Sequence, residues 1–449
     1  MKWGNGMIKT IKSSELKRDS ILEETVSSTS VTSSVAMIIA NIIKHGDVAL
    51  REYTSKYDGC LPDRFELSQD EIYNALNAVD PGFINIMQRA AKNIEAYHRN
   101  QIRTGFDLPP DNGAILGQRI TPIERVGIYV PGGSASYPSS VLMNCIPAKI
   151  ANVSEILVAT PPSGECFTKG SNGTCCIDGV ACINGVDARV IAAAKIAGAD
   201  RVFTIGGAQA IAALAYGTDS IPRVDKITGP GNAYVTEAKR QVFGIVGIDM
   251  LAGPSDILII ADSSADPVLV AADMLSQCEH GPDSPAVLVT NSKALAIKVG
   301  REIELQLPEL PRKDIARKAI DEHGMIIIAK SIKEAFEISN TLAPEHLEIM
   351  LDDPFSYIDM VKNAGSVFLG KFSPEPLGDY YAGPNHTLPT SGTARFSSPL
   401  SVEDFTKKTS YIYYSKEALN IAGADVIRFA EEEGLHAHAL SIKKRTEKK

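Results

Sequence analysis

The feature that most limits how this chain can fold is a repeated pattern between residues 125 and 369. Short apolar runs alternate there with helical patterns, and glycines or prolines follow many of the runs. One set of runs covers 126–130, 155–159, 201–205 and 224–227, and the turns behind it are Pro131-Gly132-Gly133, Pro161-Pro162, Gly206-Gly207 and Gly229-Pro230-Gly231. A second set covers 256–261, 286–290, 325–329, 347–351 and 366–369. Mostly apolar strands separated by helices form parallel sheets covered on both faces. Two such sets predict an α/β fold of two parallel-sheet domains side by side. Ligands of parallel sheets bind outside the carboxyl ends of the strands, which is where these turns lie.

Ahead of the pattern, residues 8–56 read as helical through Val35, Met37, Ile38, Ile39, Ile42 and Ile43, and 70–98 read as helical with a break at Pro81-Gly82. Beyond Gly392 the alternation is lost, and the chain ends in a polar helix bearing Glu431-Glu432-Glu433, followed by His436 and His438. That stretch reads as a small C-terminal domain or arm. Between 163 and 185, Cys166, Cys175, Cys176 and Cys182 crowd together. Their spacing matches no zinc or iron–sulfur pattern, so a surface loop is expected.

Bulk properties exclude several partners. A net charge of -9 argues against nucleic acid or an anionic membrane surface. No stretch approaches the ~20 apolar residues of a membrane span, and the N-terminus lacks the apolar core of a signal peptide. Seven cysteines, an odd number without a pairing pattern, suit a reducing compartment, so a cytoplasmic location is expected.

Chemistry-bearing residues gather in four late stretches. Ser276-Gln277-Cys278-Glu279-His280-Gly281-Pro282-Asp283 closes a helical run, and a three-residue spacing lets Gln277 and His280 point at one spot. Asp379 lies in a glycine-rich loop that also carries His386, and His438 follows the acidic helix. Gln277, His280, Asp379 and His438 together offer the N and O donors that suit zinc. Taken singly, each also reads as a cap, a turn residue or a solvated side chain. Glu345-His346, after Pro344, reads either as an acid/base pair or as two solvent-facing residues. The turn Gly229-Pro230-Gly231-Asn232 opens a helix whose free N–H groups could hold a phosphate, but its spacing is not the dinucleotide fingerprint. From the residues alone, a tight structural turn is the preferred reading.

These stretches resemble the histidinol dehydrogenase family. The likeness runs from about residue 25 to 445 and includes Val130-Pro131-Gly132-Gly133-Ser134, Gly206-Gly207-Ala208-Gln209-Ala210, Gly229-Pro230-Gly231-Asn232-Ala233-Tyr234, Ala252-Gly253-Pro254-Ser255, Ala343-Pro344-Glu345-His346 and Ala364-Gly365-Ser366-Val367-Phe368-Leu369. The cysteine-bearing stretch 163–185 looks like an insertion. The resemblance implies incomplete Rossmann-like domains, and one Zn2+ per subunit held by Gln277, His280, Asp379 and, from a second subunit, His438. It implies catalysis by Glu345 and His346, with Ser255, Gln277, His280, His346, Asp379, His386, Glu433 and His438 on the substrate. Tyr129, Gln209 and Asn232 fall on positions that hold NAD. A homodimer with shared sites follows, oxidising L-histidinol to L-histidine through the aldehyde with two NAD in turn.

The implied division of the chain is an N-terminal helical segment over 1–30 and an α/β domain from 31–124 with 255–392, carrying the zinc and catalytic residues. The NAD-contacting α/β domain spans 125–254, and the C-terminal dimer arm spans 393–449. Three rival readings stand beside this one: a paralogue oxidising another primary alcohol, such as a sulfonated diol; a zinc hydrolase in which Glu345 activates water; and a non-catalytic binding protein. Glu433 and His386 speak against the first, since they fall on histidinol contacts.

Overall fold

The structure is a computed structural model that describes residues 8–16, 29–132, 136–163, 174–177 and 180–447. Two parallel sheets dominate it. The first has the spatial order Gly247–Ile248, Lys226–Thr228, Arg125–Tyr129, Glu155–Thr160, Arg201–Thr204. The second runs Lys9–Lys12, Met325–Ile328, Ala286–Thr290, Ile257–Ala261, His346–Met350, Ser366–Leu369. Every strand of both pairs in parallel with its neighbours. The central strands are buried along their whole length; Ile257–Ala261 and Ala286–Thr290 have no exposed position. Burial on both faces is what a continuous apolar run demands. All nine runs read from the sequence overlap observed strands.

Each sheet has one place where the chain reverses direction across it. In the first, Arg125–Tyr129 is central, the chain moves outward through Glu155–Thr160 and Arg201–Thr204, then returns to the other side at Lys226–Thr228. In the second, Ile257–Ala261 is followed outward by Ala286–Thr290 and Met325–Ile328, and the chain returns at His346–Met350. Both reversals open a crevice between adjacent strands.

Several expectations need correction. Residues 9–12 are a strand, not a helix: Lys9–Lys12 pairs with Met325–Ile328 and finishes the second sheet's edge. The lone short stretch Lys9-Thr10-Ile11-Lys12 carries too little pattern to separate the two states. Helix begins at Thr29, and the rest of the expected N-terminal helical segment, 1–7 and 17–28, lies outside the described residues. The helices of 31–124 do not join the second sheet. Val35, Ile38 and Leu50 share a core with Leu157, Phe203 and Ile211, and Ile72, Met87 and Ile94 share one with Val126, Val158 and Ile191, all on the first sheet. Amphipathic helices declare which face is apolar but not which sheet that face will cover.

Antiparallel structure was also missed. Thr406–Tyr414 pairs with Ala114–Pro122, which in turn pairs with Phe106–Asp107. Part of the expected loop at 163–185 forms strands Thr174–Ile177 and Val180–Ile183, the latter pairing with Val186–Asp187 just beyond it; Cys166 lies outside the described residues. The C-terminal stretch holds helices Lys416–Glu432 and His436–Thr446, with Ile421, Phe429 and Leu440 exposed.

Candidate active site

A cleft of about 700 Å³ runs between the two sheets. Its first wall comes from turns at the carboxyl ends of first-sheet strands: Pro131 and Gly132 after Arg125–Tyr129, and Gly229 to Asn232 after Lys226–Thr228. Its second wall comes from the opposite end of the second sheet. Ser255 precedes Ile257–Ala261, His280 to Ser284 precede Ala286–Thr290, and Glu345 and His346 open His346–Met350. The carboxyl-end expectation therefore holds for one sheet and fails for the other. Pro254 and Pro344, just ahead of their strands, set extended backbone that delivers the next residues to the cleft.

Glu345 and His346 are 4 % and 3 % exposed, so the reading as solvent-facing residues is excluded. Two adjacent parallel strands begin here, and their first residues satisfy one another. The Glu345 carboxylate accepts from the Ser255 hydroxyl and, at 3.0 Å, from the Asp256 N–H, while the Glu345 N–H donates to the Asp256 carboxylate at 3.0 Å. His346 Nδ1 lies 2.9 Å from the Asp256 carbonyl. A carbonyl can only accept, so Nδ1 carries the proton and Nε2 keeps its lone pair. Nε2 has no hydrogen-bond partner and sits 3.9 Å from Glu375 Oε1 and 4.0 Å from Asp379 Oδ1. Burial pushes the Glu345 carboxyl up to about 8, opposed by the hydrogen bonds from Ser255 and Asp256 and reinforced by the Asp379 charge.

Donor atoms of His280, Glu375 and Asp379 lie within 4.8 Å of one another. Gln277, in the last turn of the helix Pro267–Cys278, is fully buried, yet neither its amide oxygen nor its nitrogen has a partner. Among the described residues, no lysine or arginine pairs with Glu345, Glu375 or Asp379. Buried carboxylates without a counter-charge, an orphaned amide and an imidazole form a donor set that a 2+ ion fits. Without one, burial and the neighbouring Asp379 drive the Glu375 carboxyl up to about 10. Burial also lowers His280, with Asp379 partly opposing it.

Glu375 is absent from the sequence-derived site. The signal that could have found it is its four-residue spacing from Asp379 on the helix Glu375–Tyr380, which puts both on one face. His386 does reach the site. Its Nδ1 donates to the Asp379 carbonyl at 3.0 Å, and its Nε2 lies 3.3 Å from the Ser140 hydroxyl, a residue of the first sheet's helix Pro138–Ile150. This bond ties the two halves of the cleft together.

The three NAD-associated positions divide. Asn232 lines the cleft, and its side-chain oxygen caps the following helix by accepting from Tyr234 and Val235 N–H at 3.0 and 3.1 Å. Tyr129 and Gln209 are 3 % and 1 % exposed and meet beneath the Gly206-Gly207 turn, where the Tyr129 hydroxyl accepts from Gly207 N–H at 3.1 Å. Ser134 lies outside the described residues. Glu433 and His438 are exposed on the C-terminal helices and do not line the cleft of their own chain.

The family model described as histidinol dehydrogenase matches residues 22–446. A histidinol dehydrogenase of Listeria innocua is 50% identical over 94% of this chain and 94% of its own length. One of Clostridium acetobutylicum is 49% identical over 92% of each. Among solved structures, the crystal structure of histidinol dehydrogenase from Elizabethkingia anophelis superposes with a TM-score of 0.89 at 36% identity, covering 99% of both chains.

Proposed function

The chain belongs to the histidinol dehydrogenase family, and on that premise we propose that it oxidises L-histidinol to L-histidine through the aldehyde, a four-electron reaction linked to NAD that ends histidine biosynthesis. The observation that carries the reading is the buried Glu345-His346 pair, set between an uncompensated metal-donor cluster and the Asn232 turn. Asn232, which lines the cleft, together with Tyr129 and Gln209 would hold NAD, which would supply the hydride acceptor for each of the two oxidations. Zn2+ would be held by Gln277, His280 and Asp379, and supplies a Lewis-acid anchor that orients the substrate.

The residues divide the proton work. His346 Nε2, the free lone pair of a neutral ring, takes the proton of the substrate hydroxyl as the first hydride leaves. Glu345 then removes a proton from the water that adds to the aldehyde, and the hydrate so formed loses the second hydride. Ser255 and His386, which both line the cleft, would contact the substrate. Holding the aldehyde in the cleft between steps keeps the reactive amino-aldehyde from being lost to solution.

The exposed Ile421, Phe429 and Leu440 support a homodimer in which a partner's arm supplies His438 and Glu433 to this cleft. Refolding a His438→Ala chain together with a Gln277→Ala chain should return activity towards half of wild type in each heterodimer; confirmed heterodimers without activity would place all ligands on one chain. No helix among the described residues is long and apolar enough to cross a membrane, and the free buried Cys145 and Cys278 suit the reducing cytoplasm proposed here.

The test of the reaction is stoichiometric. Absorbance at 340 nm should report two NADH per histidinol consumed, and chelation should abolish it. One NADH, with aldehyde accumulating, rules out the four-electron reaction; hydrolysis without any NADH favours a zinc hydrolase instead.

A further inference from the structure

Asp256 is the residue on which both members of the catalytic pair converge. It sits between Ser255 and the first residue of Ile257–Ala261, which pairs in register with His346. Three of its polar groups face the pair. Its N–H donates to Glu345 Oε2 at 3.0 Å, its carboxylate Oδ1 accepts from Glu345 N–H at 3.0 Å, and its carbonyl accepts from His346 Nδ1 at 2.9 Å and from His346 N–H at 3.3 Å. The amino ends of parallel strands leave N–H groups without partners, and here the two strands satisfy each other's through one reciprocal pair of side chains.

We infer that Asp256 is a positioning residue for the oxidation proposed above, whose carboxylate holds the Glu345 backbone so that the Glu345 carboxylate and the His346 ring face the cleft together. The backbone groups of residue 256 are available to any side chain; the Oδ1 acceptor is not. Removing it leaves the Glu345 N–H unpaired at a buried position and loosens the peptide that leads into Glu345, while the Glu345 carbonyl and the His346 N–H keep their backbone partners. Small displacements of positioned groups cost large factors in rate, because the reacting atoms must meet within a few tenths of an ångström. None of the proposed metal donors is among its hydrogen-bond partners, so metal binding should be indifferent to it.

The inference rests on the reading of Glu345 and His346 as catalytic, and the experiment separates the two. Asp256→Ala, Asp256→Ser and Asp256→Asn are compared by kcat, KM and the pH profile of kcat, with metal content measured on the same samples. Glu345→Gln and His346→Asn serve as controls. Asp256→Asn keeps an oxygen that accepts the Glu345 N–H and should stay within about threefold of wild type. Asp256→Ala and Asp256→Ser, which lacks the reach, should lose at least about tenfold in kcat with KM little changed. Metal should stay bound, and the limb of the pH profile should move; in Asp256→Asn it should return to its wild-type place. A general loss of folded enzyme would scale kcat but leave the profile where it was. Should the alanine variant not fold, the serine and asparagine variants carry the same comparison. Wild-type kcat in Asp256→Ala or Asp256→Ser, or an asparagine variant as impaired as they are, overturns the inference. Full activity in both controls overturns the catalytic reading beneath it.

Discussion

The two parallel sheets meet the same cleft in opposite ways. The first presents the carboxyl ends of its strands, and much of what it offers there is backbone, from Pro131-Gly132 and Gly229-Pro230-Gly231-Asn232, with polar side chains such as Ser139, Ser140 and Asp249 beside it. The second presents the amino ends of its strands, and what it offers is ionisable: His280, Glu345, His346 and, from a nearby helix, Asp379. Peptide groups suit a large ligand that must lie close along a surface, as a dinucleotide does. Buried charged groups suit proton transfer and metal binding, because low polarity strengthens their interactions. The duplication of architecture is therefore not a duplication of role, and substitutions on the two walls should fail differently.

The largest expected effect is on the second wall. His346→Asn removes the lone pair that faces the donors and should slow both oxidation steps by about 10²–10⁴-fold, the usual range for a general acid/base. Glu345→Gln should lose a similar factor with the aldehyde as substrate and much less with the alcohol. Neither change touches the first wall, so KM for NAD should stay close to wild type. Equal losses of Glu345→Gln on both substrates would remove the division of labour between the pair.

A smaller effect, of the opposite kind, belongs to the first wall. Gly229 adopts φ +109°, and a Cβ there would lie 2.0 Å from the Tyr129 carbonyl. Its N–H donates to Asp249 at 2.8 Å and its carbonyl accepts from Lys239 at 2.9 Å, while Lys239 and Asp249 form a buried ion pair with each other. Gly229→Ala must shift this clamped peptide. KM for NAD should rise by about tenfold, while metal content stays that of wild type. A loss of metal with unchanged KM for NAD would mean that the walls are not separable.

The difference between the walls also decided what could be read without coordinates. Apolar runs announce buried strands whichever end they use, so nine parallel strands were legible, while the edge strands Lys9–Lys12 and Gly247–Ile248 and the antiparallel strands were not. Glycine turns announce a wall made of backbone, which they did at 229–232. Which end of the second sheet meets the cleft is set by how the two sheets pack, and no local pattern records that. Asp256 looks like an ordinary polar residue at a strand start until the strands are seen side by side, whereas Glu345, next to His346, already reads as one half of an acid/base pair or as a solvent-facing residue. Glu375 carries a spacing signal but stands between two prolines, where a turn reads as well. The helices before residue 100 went to the wrong sheet for the same reason: their burial stripe is local, and its partner is not. What the resemblance added was the set of residues from distant stretches, and His438 is exposed and does not line this chain's own cleft.

The smallest effect concerns stability, and it sharpens the comparison because only the second wall should show it. In the metal-free chain, burial raises Glu345 to about 8, Glu375 to about 10 and Asp256 to about 7. A carboxyl whose folded value lies above its unfolded one binds protons more tightly in the folded state. Its contribution is complete below the unfolded value, near 4, and is lost as pH rises through the folded value. Metal-free protein should therefore lose stability steadily between about pH 5 and pH 9. Metal reverses the sign at the donors, since it favours the ionised form that high pH supplies. Thermal unfolding of chelated and zinc-loaded samples should thus diverge as pH rises from 6 to 9, the gap widening by a few degrees, on the order of 1–2 kcal/mol for a chain of this size. Glu345→Gln, which removes one raised group, should flatten the metal-free curve in this range; Gly229→Ala should lower it without changing its slope. Parallel curves for loaded and chelated protein would show that the Glu375 carboxylate, the raised group within the donor cluster, does not face the metal.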